Sequence, residues 1–118
     1  MRASRGEIKI EMILQQNNLN FEEEYSFTGL NSINGKPLRF DFAVFDDEGN
    51  LDFLIEFQGK QHYVPVSKFG GKRGLYQQQA NDNIKRNFCK FHNITLIEIP
   101  YFEERYITYD YIMKKAGY

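Results

Sequence analysis

The part of the chain that decides the fold is residues 38–63, LRFDFAVFDDEGNLDFLIEFQGKQHY. It contains two runs rich in aromatic and β-branched residues, 38–45 and 51–57, and each run predicts a strand. Between them, the polar segment Asp46-Asp47-Glu48-Gly49-Asn50 is typical of a hairpin loop. The sequence therefore predicts a β-hairpin as the best-defined element of the domain.

Regular patterns continue on the N-terminal side of this hairpin. A capping box at Ser4 and Glu7, followed by apolar residues at helical spacing, predicts a helix from Ser4 to about Asn17. Alternating residues predict a strand at 21–27, and turn residues occupy 31–37. A helix and a strand are therefore expected before the hairpin.

The C-terminal side adds a second helix and a further strand. Glycines and basic residues at 63–74 predict a mobile loop, and a short apolar run at 94–99 predicts a strand covered on both faces. Helices are predicted at 75–91 and about 108–115, the first with an apolar face formed by Ala80, Ile84, Phe88 and Phe91. The order helix, strand, strand, strand, helix, strand, helix predicts an α/β fold, with a mixed sheet of about four strands flanked by helices.

Length and composition predict a single domain spanning residues 1–118. The chain is 14.0 kDa, with 42% hydrophobic and 26% charged residues, which is typical of globular proteins. Its one cysteine, Cys89, excludes an intrachain disulfide framework and fits a reducing compartment. No apolar run is long enough to span a membrane, and the charged N-terminus does not resemble a signal peptide. We therefore expect a cytoplasmic protein without a membrane partner.

The net charge of −1 conceals a strong asymmetry along the chain. Residues 1–58 carry five basic and eleven acidic side chains, whereas residues 59–90 carry seven basic side chains and one acidic one. A polyanion would bind the basic segment in preference, because its phosphates release counterions there. A solvated basic surface is the more common meaning of such a charge block, so charge alone does not decide between the two.

The hairpin also carries the residues best suited to chemistry. Asp41 is expected to lie opposite Phe40 and Phe42, and Glu56 and Gln58 share one face of the next strand. Two carboxylates that converge from paired strands repel each other unless a cation lies between them, and Mg²⁺ takes a few hard oxygen ligands of this kind. His62 follows closely, with an ordinary pKa that suits general acid or base catalysis.

This arrangement resembles the catalytic core of the PD-(D/E)XK nuclease superfamily. Asp41 followed by Glu56-Phe57-Gln58 is similar to the superfamily's motif, with Gln58 where a lysine usually stands. Glu7, His62 and Asp82 extend the resemblance to the EDxHD group, which contains very-short-patch-repair endonucleases and phage intron-encoded homing endonucleases. The match covers residues 4 to about 101 and is most similar to the phage homing-enzyme branch.

The resemblance implies a restriction-endonuclease-like fold and a metal-dependent DNA endonuclease, the catalytic domain of a homing endonuclease. Asp41, Glu56 and the backbone carbonyl of Phe57 would hold Mg²⁺ or another divalent cation such as Mn²⁺. His62 would be the general base or acid, and Asp82 would fix its tautomer.

Further residues take supporting roles under the same resemblance. Glu7 would assist a second metal or a metal-bound water, while Lys85 and Gln58 would contact phosphate oxygens. The protein would then act in the cytoplasm of a bacterium or of the host cell of a phage.

Several of these residues also have purely structural interpretations. Glu7 is fully explained by the capping box, and Asp82 by a solvated helix face with local ion pairs. Asp41 could be a strand-edge carboxylate, Gln58 a sheet-edge hydrogen-bond donor and His62 an ordinary surface histidine. The sequence leaves these alternatives open.

Two other functions compete with the homing endonuclease. A repair-type mismatch nickase would use similar chemistry, but such enzymes usually need a structural zinc site, which one cysteine and two histidines do not readily supply. A catalytically inactive nucleic-acid-binding module is the second alternative, and Gln58 in the lysine position is its main argument.

The expected partner is double-stranded DNA. The sequence contains no convincing helix-turn-helix, zinc finger or basic tail to read a long site. We therefore expect a catalytic fragment of a longer protein with a separate DNA-recognition domain, or a domain that forms a homodimer on DNA.

Overall fold

A computed structural model describes residues 3–118 of the chain. Within this range it contains three α-helices, four strands and three 3₁₀ helices. The α-helices are α1 (Arg5–Gln16), α2 (Gly71–Phe91) and α3 (Tyr109–Lys115). The strands are β1 (Asn20–Asn31), β2 (Pro37–Phe45), β3 (Leu51–Gln58) and β4 (Thr95–Pro100), and the 3₁₀ helices are Lys60–His62, Ser67–Phe69 and Tyr101–Tyr106.

The four strands form one mixed sheet in the order β1-β2-β3-β4. β1, β2 and β3 are antiparallel neighbours, whereas β4 lies parallel to β3 and reaches it through the crossover that contains α2. Glu56 is paired with Glu98 across the parallel ladder. The predicted α/β fold with a four-stranded mixed sheet is thus confirmed at this level.

Two hydrophobic clusters cover the two faces of the sheet. Alternate side chains of β3 separate them, since Phe53 and Ile55 belong to one cluster and Leu54 to the other. The first cluster includes Ile10 and Leu14 of α1 together with residues of α3, so these helices cover one face. The second cluster includes Cys89 of α2, which covers the opposite face.

The elements predicted with clear patterns are confirmed. Ser4 caps α1 with a complete capping box, and the hairpin strands differ from their predicted bounds by one residue. β1 is longer than predicted and reaches Asn31, which pairs with Pro37 after a register shift. Among residues 3–118, no helix is both long and apolar enough to cross a membrane.

Two predictions around α2 are wrong. The helix begins at Gly71, so the predicted loop at 63–74 includes its first turn, and a 3₁₀ helix precedes it. Gly70 adopts a left-handed conformation (φ 89°) that allows this sharp entry. Phe91 is 82% exposed instead of packing in the apolar stripe, and the buried positions of α2 are Asp82, Lys85 and Cys89. Lys85 can occupy this buried face because Glu56 of β3 pairs with it, and Asp82 because His62, just after β3, bonds to it.

Candidate active site

The site begins where the ladder between β2 and β3 ends. The last backbone-paired residues are Phe42 and Ile55, so the next pair in register is Asp41 opposite Glu56. Beyond this point, hydrogen bonds from backbone N–H groups to side-chain carboxylates replace the backbone hydrogen bonds of the ladder. The Phe57 N–H donates to Asp41 Oδ2 (2.7 Å), and the Asp41 N–H donates to Glu56 Oε2 (3.2 Å). These reciprocal bonds hold two carboxylates side by side on neighbouring strands.

A local irregularity in β1 and β2 accompanies this pair. Phe40 packs in the cluster beneath α2, whereas Phe42 packs in the cluster beneath α1, so the predicted shared face of the two phenylalanines is wrong. Opposite Asp41, Glu24 adopts a left-handed backbone conformation (φ 52°), which is unusual for a residue other than glycine. The alternation of side chains therefore changes face at Asp41, which the simple period-two pattern could not predict.

Lys85 of α2 reaches down to the carboxylate pair. Its ammonium group donates a hydrogen bond to Glu56 Oε1, and it lies 5.4 Å from the ring centroid of Phe40. Both Lys85 and Glu56 are buried. Lys85 therefore forms an internal ion pair, and its predicted contact with phosphate stays a prediction.

The electrostatics of the pair follow from its burial. Burial and, secondly, the nearby charge of Glu56 raise the pKa of Asp41 to about 8, although the Phe57 hydrogen bond opposes the rise. Burial also raises the pKa of Glu56, but the Lys85 ammonium opposes that rise. Lys85 is therefore bonded to Glu56, and its charge lowers the pKa of Asp41 only as a smaller effect.

His62 and Asp82 form a second polar pair, one helical turn along α2 from Lys85. The 3₁₀ helix Lys60–His62 brings the imidazole against α2, where Nδ1 lies 2.8 Å from Asp82 Oδ2. Asp82 is only 4% exposed, and its other oxygen accepts a bond from Gln78 Nε2 (3.3 Å). A carboxylate oxygen accepts hydrogen bonds, so this contact favours the tautomer with the proton on Nδ1 and leaves Nε2 outside the bond. The predicted contact between these residues is present.

Gln58 belongs to a network that the sequence analysis did not identify. Its amide donates to Glu98 Oε2, and its carbonyl oxygen accepts a bond from the Tyr63 hydroxyl (2.7 Å). Arg86 Nε donates to the other oxygen of Glu98 (2.7 Å). Gln58 therefore makes internal hydrogen bonds, and its predicted contact with phosphate stays a prediction.

A cavity of about 270 Å³ opens beside these groups. Its walls come from β3, from the segment just after it and from α2, and its lining residues are Gln58, His62, Tyr63, Gln79, Asp82, Asn83 and Arg86. Asp41 and Glu56 lie outside this lining; Glu56 is two residues before Gln58 on β3, and Asp41 lies opposite Glu56 on β2. Together, Asp41, Glu56, Gln58, His62 and Asp82 form a polar strip between the sheet and α2. Asp41 and Glu56 lie at its closed end, and His62 lies at the end that opens to the cavity.

Glu7 reaches the site through the position of α1. An added Cβ at Gly6 would lie 2.2 Å from the Phe57 ring, so α1 begins directly on β3. The Glu7 carboxylate accepts bonds from the Ser4 hydroxyl (2.9 Å) and backbone N–H (3.3 Å), and its charge contributes to the raised pKa of Asp41. Glu7 therefore caps the helix and also acts electrostatically on the carboxylate pair.

A metal ion at this site would depend on few protein ligands. Among residues 3–118, no group of three or more His, Cys, Asp and Glu side chains is arranged to hold an ion. Asp41 and Glu56 supply carboxylate oxygens, and the backbone carbonyl of Phe57 is the third oxygen that the sequence suggested. This donor set fits Mg²⁺, which is commonly held by one or two carboxylates and completes its shell with water and substrate phosphate.

Glu98 and Arg86 are the site residues that sequence reasoning missed. Glu98 stands within the apolar run Leu96-Ile97-Glu98-Ile99, which is the same signal that singled out Glu56 between Ile55 and Phe57. In the sequence, Arg86 is one of the cations of the basic segment. Its ion pair with Glu98 could not be predicted, because that pair depends on how α2 crosses the sheet.

Several viral proteins are similar to this chain. It is 35% identical to uncharacterized protein 307L of Invertebrate iridescent virus 6 over 86 residues, which cover 71% of this chain and 44% of that protein. It is 32% identical to uncharacterized protein 033L of Invertebrate iridescent virus 3 over 100 residues, 83% of this chain and 50% of the relative. With uncharacterized protein 094L of Frog virus 3, the identity is 46% over 54 residues, 44% of this chain and 35% of that protein.

The chain spans half or less of the length of each of these relatives. No protein-family model matches the chain. No solved structure matches it either. The function is therefore argued from the site itself.

Proposed function

We propose that this domain is a metal-dependent DNA endonuclease of the PD-(D/E)XK superfamily, in the EDxHD group, with a restriction-endonuclease-like fold. The observation that carries the proposal is the cross-bonded pair of Asp41 and Glu56 at the end of the β2–β3 ladder. A fold optimised for stability alone does not place a half-buried carboxylate beside a buried one, since each is desolvated against the charge of the other.

Each part of the strip has a role in phosphodiester hydrolysis. Asp41, Glu56 and the Phe57 carbonyl would hold Mg²⁺ or Mn²⁺, which supplies charge stabilisation at the scissile phosphate and a more acidic water. His62 Nε2 would accept or donate the transferred proton, while Asp82 holds the imidazole tautomer. Glu7 would add negative charge near the ligands.

The surface around the strip supports nucleic acid as the substrate. Six of the seven basic residues of 59–90 are exposed, and they follow β3 and extend along α2; they are Lys60, Lys68, Lys72, Arg73, Arg86 and Lys90. Such a concentration of exposed cations in the segment that follows Glu56 favours a polyanionic ligand. Double-stranded DNA is therefore the proposed partner, with recognition completed by a further domain or by a second copy of the chain.

Cleavage of DNA tests this proposal. A pool of random-sequence duplexes, together with supercoiled plasmid, removes the need to know the recognition site. The wild type should cut with Mg²⁺ or Mn²⁺ and not with EDTA. Asp41→Asn should abolish cutting, because it neutralises a ligand but retains an oxygen for the Phe57 N–H. Asp47→Asn, the same change in the exposed hairpin loop, is the matched control.

The products separate the competing functions. Linear plasmid indicates double-strand cutting, whereas relaxed circles alone indicate a nickase. Binding without metal-dependent cutting would contradict the endonuclease and favour the inactive nucleic-acid-binding module.

A further inference from the structure

We infer that the cavity beside His62 is a phosphate subsite and that Arg86, rather than Lys85, is the cation that contacts the DNA backbone in it. The inference rests on the proposed function, because it names a binding group within the same site. It also assigns Gln58 and Glu98 as the residues that position Arg86.

The two neighbouring cations of α2 differ in what they can offer to a ligand. Lys85 is buried and donates to Glu56, so it can meet a phosphate only by breaking a buried ion pair. The Arg86 side chain is 46% exposed and lines the cavity. Only Arg86 can therefore reach an incoming phosphate without a rearrangement of the core.

The guanidinium of Arg86 is held in a fixed orientation by two hydrogen bonds. Nε donates to Glu98 Oε1 (2.7 Å), and Nη1 donates to Asn83 Oδ1 (3.0 Å). A guanidinium has five N–H donors in a planar fork, so three remain for a ligand. Arginine binds phosphate through two such donors at once, which a lysine ammonium cannot reproduce.

Glu98 is fixed in turn from its other side. The Gln58 amide donates to Glu98 Oε2, and the Gln58 carbonyl oxygen accepts from the Tyr63 hydroxyl. A lysine at position 58 would place a second cation beside Glu98 in competition with Arg86. Gln58 instead supplies a neutral donor, which leaves the carboxylate to orient the arginine. This gives a physical reason for glutamine at the position where the related nucleases usually have lysine.

The remaining lining of the cavity suits the same ligand. His62, Gln79 and Asn83 line the same cavity as Arg86, and the latter two residues carry side-chain amides. Uncharged donors of this kind, next to one fixed guanidinium, bind a phosphodiester without the large charge cluster that a phosphomonoester would favour. A bound phosphate would then lie between Arg86 and the proton-transferring imidazole.

Salt-dependent DNA binding tests the inference. The affinity of a fluorescent duplex is measured by anisotropy in EDTA over a series of NaCl concentrations. Arg86→Gln should weaken binding by about tenfold and reduce the salt slope by about one, because one phosphate contact is lost. Arg86→Lys should keep the slope but bind less tightly than wild type. Arg5→Gln, which removes an exposed arginine paired with Glu104 elsewhere on the surface, should change affinity by less than twofold.

The outcomes separate this inference from the endonuclease proposal. If Arg86→Gln and Arg5→Gln bind alike while Asp41→Asn abolishes cutting, the subsite is wrong and the endonuclease stands. If the slope falls as expected but no variant cuts with metal, the subsite stands and the endonuclease fails. A wild type that binds no DNA contradicts both. Melting curves establish that each variant is folded, and if Arg86→Gln is not folded, an Arg86→Lys variant with wild-type affinity overturns the subsite.

Discussion

The face of the sheet beneath α1 and α3 buries eleven hydrophobic residues, whereas the face beneath α2 contains all four buried polar or charged residues of the described chain. Those four are Glu56, Gln58, Asp82 and Lys85. The first face stabilises the fold through ordinary apolar burial. On the face beneath α2, charged side chains are desolvated and have to be paired with one another. This costs free energy that apolar residues at the same positions would avoid. This difference supports the proposal that the α2 face carries the active site.

Removal of His62 should produce a large effect on the rate of cleavage. His62→Ala should slow metal-dependent cleavage by roughly 10²–10⁴, because a proton-transfer group is lost. Asp82→Asn should cost less, and the double variant should be little worse than His62→Ala, since the two residues act as a unit. Single-turnover kinetics measure these rates, with His92→Ala at the exposed end of α2 as the control. Additive losses would separate Asp82 from His62.

The buried ion pair allows a direct test of the cost of the α2 face. Glu56→Ala should destabilise the fold by about 3–5 kcal/mol, because it leaves the Lys85 ammonium buried without its partner. Replacing both residues, as Glu56→Leu with Lys85→Met, should restore stability to within about 1 kcal/mol of wild type or above it. Urea unfolding measures both variants. A double variant as unstable as Glu56→Ala would mean that the ion pair stabilises the fold. The face beneath α2 would then contribute to stability as the face beneath α1 and α3 does.

The opposite face should respond in stability without a specific effect on catalysis. Ile10→Ala should cost about 2–5 kcal/mol, because this fully buried side chain would leave a cavity against the sheet. Ile8→Ala, two residues earlier on the same helix but 46% exposed, should cost less than about 0.5 kcal/mol. Cleavage by the folded fraction of Ile10→Ala should match wild type. A rate loss as large as that of His62→Ala would show that the two faces are coupled.

The sequence predicted those parts of the molecule that depend on local pattern. The hairpin 38–57, the capping box of Ser4 and Glu7 and the helix before β4 all follow from alternation, helical spacing or capping chemistry. The acids Asp41 and Glu56 were found because carboxylates between apolar residues are unusual.

The remaining features depend on how distant segments cross, which no local pattern encodes. The burial of Lys85 against Glu56 depends on the angle at which α2 crosses β3, and the exposure of Phe91 follows from the same packing. The change of face at Asp41 required the left-handed residue Glu24 on a different strand. The start of α2 at Gly71 could not be predicted, because glycine disfavours helices.

The pH dependence of stability should report the uncompensated carboxyl group of the α2 face. The pKa of Asp41 is about 8 in the folded protein, whereas an ordinary aspartate has a pKa of 3.8. Between these pH values the folded state therefore binds more protons than the unfolded state. Its stabilising contribution is complete below pH 4 and is lost as the pH rises to 8. Without added metal, wild type should therefore lose stability over this range relative to Asp41→Asn. The measurement is the urea midpoint of each protein at every pH unit, with Asp47→Asn as the control. Curves of midpoint against pH that stay parallel for wild type and Asp41→Asn would contradict this prediction.

The central claim is that the carboxylate pair at the end of the β2–β3 ladder is a divalent-metal site. The most direct measurement is anomalous diffraction from a crystal soaked in Mn²⁺. We expect a manganese peak bonded to carboxylate oxygens of both Asp41 and Glu56, with Glu56 turned at least partly away from Lys85. Manganese bound only at other carboxylates, with the Glu56–Lys85 pair intact at saturating Mn²⁺, would contradict the claim.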